Sequence, residues 1–273
     1  MLVAGASVLI ARAKPSPIGR AKASQQQATV EQVAAQEKEQ PAQPATPPQT
    51  PAQTPPPPVY RGPLIILDPG HGGADPGARG PNGVQEKEAV LLITRIVRIG
   101  LEREGFRVMM TRNDDSNPSY DDRAALANAH RDAVFVSIHI ASTGAVATAR
   151  TYFYRFASSL PEVAGTDASA APIPAAGGPV LWEEAQESYV EASKRFADIL
   201  ELELAQRFPG SAATPSPAAV RELRSVALPA VAVEISNIIA TDARTWTTMA
   251  PPLATAIGRT VQAFRSAGAA GGD

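Results

Sequence analysis

The chain has 273 residues, a formal net charge of −2, no cysteine, three histidines and 26 prolines. No cysteine means no disulfide framework, no thiolate nucleophile and no Cys-ligated metal, and the near-neutral charge argues against a dedicated nucleic-acid binder. Any histidine chemistry must use His71, His130 or His139.

Met1–Ala11 is apolar but too short to cross a bilayer as a helix, which takes around 20 residues. It matches the apolar core of a secretory signal, and Ala11-Arg12-Ala13 resembles a small-x-small cleavage site, although no basic residues precede it. We read residues 1–20 as a signal-like N-terminal segment that implies export, with no stable membrane span. Residues 21–60 are rich in Gln, Ala and Pro and end in the run Pro55–Pro58. Such a stretch cannot bury enough apolar surface to offset chain entropy and favours extended polyproline II. It reads as a semi-rigid spacer, and composition alone suits an unselected disordered tail equally well.

A globular domain is expected over 61–267, with a flexible tail at 268–273. Leu64–Leu67 is a short apolar run ended by Asp-Pro-Gly, the pattern of a buried strand entering a loop. Glu86–Glu104 has helical spacing, with Val90, Ile93, Val97 and Leu101 on one stripe and Gly105 as its stop. Phe106–Met110 predicts a second strand, Tyr120–Arg131 a helix, Ala133–Ile138 a third strand and Arg150–Phe156 a fourth. Ala157–Gly178 is rich in Ala, Pro, Gly and Ser and reads as a surface insertion. Glu184–Arg207 is expected to be helical, Val231–Ile235 a buried strand and Arg244–Ala267 the closing helix. Strands that alternate with helices and read as continuously apolar imply an α/β fold, a mostly parallel central sheet flanked by helices.

Ligands of open α/β sheets gather at the carboxyl ends of strands. The first strand runs into Asp68-Pro69-Gly70-His71-Gly72-Gly73, the third ends at His139, and the fifth carries Glu234. The glycines suggest a phosphate cradle, but no Lys followed by Ser or Thr ensues and no helix starts there, so neither a P-loop nor a dinucleotide fingerprint fits. Alone, His71 reads as a loop histidine, His139 as a satisfied core residue and Glu86 as a carboxylate favoured by the start of its helix. Glu234, inside Ala-Val-Ala-Val-Glu-Ile, is harder to place, because a buried carboxylate without a partner is costly. Two histidines and a carboxylate delivered to one edge suit a catalytic zinc site. His130 reads as an ordinary helix-end histidine.

Taken together, Ile66–Gly80, Glu86-Lys87, Gly105–Arg112, Arg123–His139, Ser193–Ala197 and Leu223–Glu234 closely resemble the zinc-dependent N-acetylmuramoyl-L-alanine amidases of bacterial cell walls. The resemblance covers the chain from about Leu64 to Phe264. It implies His71, Glu86 and His139 as zinc ligands, Glu234 as the catalytic glutamate, and peptidoglycan as the substrate, in the periplasm or cell envelope. Asp68 is a candidate to orient His71 from behind, or to cap the loop. Some family members carry a segment that covers the zinc until an activator protein removes it. The insertion followed by Glu183 and Glu184 is the corresponding candidate lid here. The chain departs from the family at Ala141, where Asn is usual, and at Ile235, where Thr-Gly-Phe usually follows the glutamate. A non-catalytic peptidoglycan-binding module and a zinc amidohydrolase acting on small peptides are the competing readings.

Overall fold

The computed structural model describes residues 62–155, 182–239 and 242–270; the signal-like segment, the spacer and the insertion at 157–178 lie outside them. Six strands form one sheet: β1 (Leu64–Pro69), β2 (Arg107–Met110), β3 (Ala133–Ile140), β4 (Thr148–Tyr154), β5 (Ser216–Ala218) and β6 (Ala230–Ser236). Their order across the sheet is β2-β1-β3-β6-β4-β5. All neighbours are parallel except β4 and β6, so the sheet is mixed but mostly parallel, as the strand pattern implies. The helices are α1 (Glu86–Arg103), α2 (Tyr120–Asn128), α3 (Val190–Arg207) and α4 (Ala243–Ala270).

Three differences from expectation have a physical reason in the fold. β4 begins at Thr148, because its antiparallel pairing reaches Ser236 of β6. The third helix takes α-geometry only from Val190, after a 3-10 stretch over Trp182–Tyr189. β5 has no counterpart in the sequence reading. It is three residues long with Pro217 at its centre, and it sits at the sheet edge, where a proline can do without a ladder donor.

Period-2 alternation along β1, β3 and β6 divides the interior into two unequal cores. Ile65, Leu67, Val134, Val136, Ile138, Val231, Val233 and Ile235 face one side, where α1, α3 and α4 pack over them. The expected stripe of α1 lies wholly in this core, with Val90, Ile93, Val97 and Leu101 fully buried. The opposite face carries Leu64, Ile66, Phe135, Ala230 and Ala232 under α2 and the stretch that holds Leu223, Val226 and Leu228. This cover is thin. α2 has only nine residues, held at its start by a reciprocal Ser119–Asp122 capping box. The residues that next continue this face toward the carboxyl ends of β1, β3 and β6 are Asp68, Ser137, His139 and Glu234. Among the described residues, no helix is long and apolar enough to cross a membrane.

The thick core holds one carboxylate that the fold tolerates by hydrogen bonding. Glu201 on α3 is fully buried and accepts the Thr151 amide at 2.6 Å, while its second oxygen has no partner. Burial raises its pKa above the ordinary 4.5, so the native state keeps this proton to higher pH than the unfolded chain does. Wild-type stability therefore falls as pH rises from about 4.5 through the folded value. Glu201→Gln removes that loss. Its melting temperature relative to wild type should rise between pH 5 and pH 8 in paired thermal melts; a pH-independent difference would refute the assignment.

Candidate metal centre

β1 delivers its polar end into the loop that carries His71. Asp68 is fully buried and bonds three elements at once: Arg123 Nη1 of α2 at 2.5 Å, Thr111 Oγ1 just after β2 at 2.5 Å, and Ser137 Oγ of β3 at 2.9 Å. Arg123 also donates to the carbonyls of Pro69 at 3.0 Å and His71 at 2.8 Å. Arg112, also buried, donates to the Pro69, Gly70 and Lys87 carbonyls. These bonds hold His71 in a left-handed conformation, φ 61°, which costs a non-glycine residue energy unless its surroundings enforce it. Asp68 thus touches the loop's supports and not the imidazole. The group on the ring is Asp75, whose Oδ2 lies 2.8 Å from His71 Nδ1.

Glu86 is the first residue of α1, yet its carboxylate turns inward and is only 4% exposed. Oε1 accepts the Ile140 amide at 2.9 Å and lies 3.1 Å from His139 Nδ1. Oε2 accepts the Ala78 amide at 2.8 Å and lies 3.1 Å from His71 Nε2. The two rings meet edge to face with centroids 5.0 Å apart. One donor atom from each of His71, Glu86 and His139 falls within 4.8 Å of the others, a group that could hold a metal ion.

The local field favours a cation. Burial acts to lower the His71 pKa, but the hydrogen bonds and charges of Glu86 and Asp75 outweigh it and push the group up to about 9. Burial likewise works against His139, which Glu86 and Glu222 nonetheless raise. Glu86, which burial alone would raise, is held well below the usual carboxylate range by the two histidines. Two imidazoles and a carboxylate are a donor set that zinc takes in catalytic sites, where three protein ligands leave a position open. The residues fit the group.

Glu234 stands beside this cluster because β3 and β6 pair in parallel with His139 opposite Glu234. It is half-buried rather than fully buried, and it has a partner: the Tyr152 hydroxyl of β4 donates to its Oε2 at 2.9 Å. His139, Tyr152, Ala218, Val220, Glu222, Ala232 and Glu234 line one recess of about 240 Å³. Glu222 follows β5 on the 3-10 turn Arg221–Leu223, and its Oε1 lies 3.5 Å from His139 Nε2. His130 is elsewhere, in a recess with Leu64, Ala133 and Arg265. Of the candidate lid, the side chain of Glu183 lies outside the described residues. Glu184 sits on the 3-10 stretch whose Trp182 bonds Asp121 and whose Gln186 bonds the Val226 and Leu228 carbonyls. Asp75, Arg123, Tyr152 and Glu222 were not singled out from sequence, although Asp75 and Arg123 lie inside stretches that carry the family resemblance.

The profile of the family described as N-acetylmuramoyl-L-alanine amidase matches residues 65–259. N-acetylmuramoyl-L-alanine amidase AmiC of Neisseria meningitidis is 53% identical over 79 residues, 29% of this chain and 19% of its own length. The sporulation-specific N-acetylmuramoyl-L-alanine amidase of Bacillus subtilis is 45% identical over 82 residues, 29% of this chain and 32% of its own length. The matched stretch is thus less than half of either relative. Among solved structures, an N-acetylmuramoyl-L-alanine amidase from Clostridium difficile superposes with a TM-score of 0.54 at 22% identity, covering 75% of this chain and 97% of that one. Ami1 from Mycobacterium smegmatis gives 0.55 at 22% identity, over 76% of this chain and 99% of its own. At that identity the likeness establishes the fold.

Two substitutions probe the scaffold separately from the donor atoms. Arg123→Ala strands Asp68 as a buried, uncompensated charge and should cost about 3–5 kcal/mol in denaturant unfolding. Gly70→Ala would place a methyl 2.2 Å from His139 Cε1, so the ring or its loop must shift. Zinc affinity, measured by competition with a chromophoric chelator, should fall in Gly70→Ala, while the midpoint of unfolding in chelator changes much less than in Arg123→Ala.

Proposed function

The chain belongs to the N-acetylmuramoyl-L-alanine amidase family, and from that premise we propose that it hydrolyses the amide between the lactyl group of N-acetylmuramic acid and the L-alanine of peptidoglycan stem peptides. The observation that carries this reading is the pairing of a His-Glu-His donor group with Glu234 on the neighbouring strand. A binding module has no use for the second carboxylate.

His71, Glu86 and His139 would hold zinc. When bound, zinc supplies Lewis acidity, polarising a carbonyl and making water acidic enough to lose a proton near pH 7. Glu234 takes that proton and later gives it to the departing L-alanine amine, so the hydroxyl ends on the lactyl carbonyl and the hydrogen on nitrogen. The Tyr152 hydroxyl occupies Oε2 of Glu234 and fixes its rotamer, leaving Oε1 for the transfer.

The substrate places this chemistry outside the cytoplasm, in the periplasm or cell envelope, and the Pro-rich spacer suits a domain that must reach a polymer. A partner that governs activity fits the same reading: the CwlD amidase from Clostridioides difficile is solved in complex with the GerS lipoprotein.

Purified full-length protein incubated with peptidoglycan should release free stem peptides with zinc present and none after chelation. Glu234→Gln should lower release by about 10²–10⁴-fold while metal analysis shows zinc still bound. Glu234→Gln with wild-type release would remove Glu234 from the chemistry, and no release by wild type under any metal condition would sink the enzymatic reading.

A further inference from the structure

Two recesses flank the histidines, and one side chain lines both. The first is bounded by His71, Asp75, Tyr120 and Arg123, the second by His139, Tyr152 and Glu234, and Glu222 stands between them. Glu222 is aimed inward by its neighbour: Leu223 is fully buried in the thinner core and pins the 3-10 turn against the sheet. The Glu222 side chain is 16% exposed.

The two imidazoles are treated alike with their nitrogens exchanged. His71 turns Nε2 to Glu86 at 3.1 Å and Nδ1 to Asp75 at 2.8 Å. His139 turns Nδ1 to Glu86 at 3.1 Å, and Nε2 has Glu222 Oε1 at 3.5 Å. That Nε2 is buried and lacks any hydrogen-bond partner. A buried ring N–H without an acceptor is costly, and a shift of a few tenths of an ångström brings this carboxylate into bonding range. Glu222 falls outside the group of donor atoms that approach one another closely enough for a metal.

We infer that Glu222 is the positioning carboxylate of His139. It draws the proton to Nε2 and so fixes Nδ1 as the nitrogen offered to zinc, as Asp75 does on His71 in the opposite tautomer. A carboxylate on the outer nitrogen also makes the coordinating nitrogen a better donor. The inference rests on the reading of His71, Glu86 and His139 as zinc ligands.

The test uses full-length protein stripped of metal, titrated with zinc against a competing chelator, for wild type, Glu222→Gln and Glu222→Ala. Cobalt(II) absorption spectra of the same proteins report the coordination number. Glu222→Ala should bind zinc about 10–100-fold more weakly than wild type. Glu222→Gln, which keeps an oxygen acceptor but loses the charge, should lie between. The melting temperature in chelator should be unchanged, and the cobalt spectra should show the same coordination number. Should Glu222→Ala fold poorly, the isosteric Gln variant carries the comparison. Equal zinc affinity in all three proteins overturns the inference and leaves the metal reading intact. A changed cobalt coordination number in Glu222→Ala overturns it by making Glu222 a ligand. Failure of wild type to bind zinc removes both.

Discussion

A buried ion pair organises this site. Asp68 and Arg123 are 0% and 2% exposed at the side chain and meet at 2.5 Å. Removing two charges from water costs several kcal/mol per ion, and the pair's attraction recovers this only when the remaining hydrogen-bonding capacity is filled. Here it is filled: Asp68 also takes the hydroxyls of Thr111 and Ser137, and Arg123 spends its other donors on the carbonyls of Pro118, Pro69 and His71. The pair is therefore best understood as a specifier of position. It joins the end of β1, the residue after β2, the middle of β3 and the start of α2, and from that junction it reaches the backbone of His71, held in an unfavourable conformation.

The asymmetry of the two cores explains why the candidate site lies where it does. On the thick side three helices cover the sheet, and the strands present Val, Ile and Leu to their ends. On the thin side one short helix and the stretch after β5 cover only the amino-terminal part of the strands. The same alternation that puts Phe135 and Ala232 under this cover puts His139 and Glu234 just beyond it. Polar side chains can stand there because the cover has ended, and the wall that remains is made by Ala218, Val220 and Glu222.

Much of this was legible in the amino-acid sequence because it depends on local pattern. The stripe of α1, the apolar runs of β1, β3 and β6, and the polar residues at their ends all follow from periodicity, and the order of strands and helices implied a mostly parallel sheet. The six stretches that carried the family resemblance include His71, Glu86, His139 and Glu234. What the sequence hid depends on long-range partners. β5 is too short and too proline-marked to read as a strand, and only its edge position makes it one. Arg221-Glu222-Leu223-Arg224 looks like a solvated charged run until Leu223 is seen in the core. Tyr152 looks like an ordinary strand aromatic until antiparallel pairing of β4 with β6 brings it beside Glu234. Asp75 is hidden in another way: the glycines around it draw attention to backbone freedom and away from the side chain.

Register is what turns these separate residues into one site. β3 and β6 are paired in parallel from Phe135–Ala230 to Ile140–Ile235, which sets His139 directly across from Glu234 at the spacing of adjacent strands, about 4.8 Å. A slip of one residue would send Glu234 to the thick core and bring Val233 or Ile235 beside the histidine. The apolar content of β6 resists that slip, because Val231, Val233 and Ile235 are fully buried among the helices on the far side. The hydrophobic pattern therefore fixes the distance between the donor group and the Glu234 carboxylate, although none of the residues that supply the force touches either one.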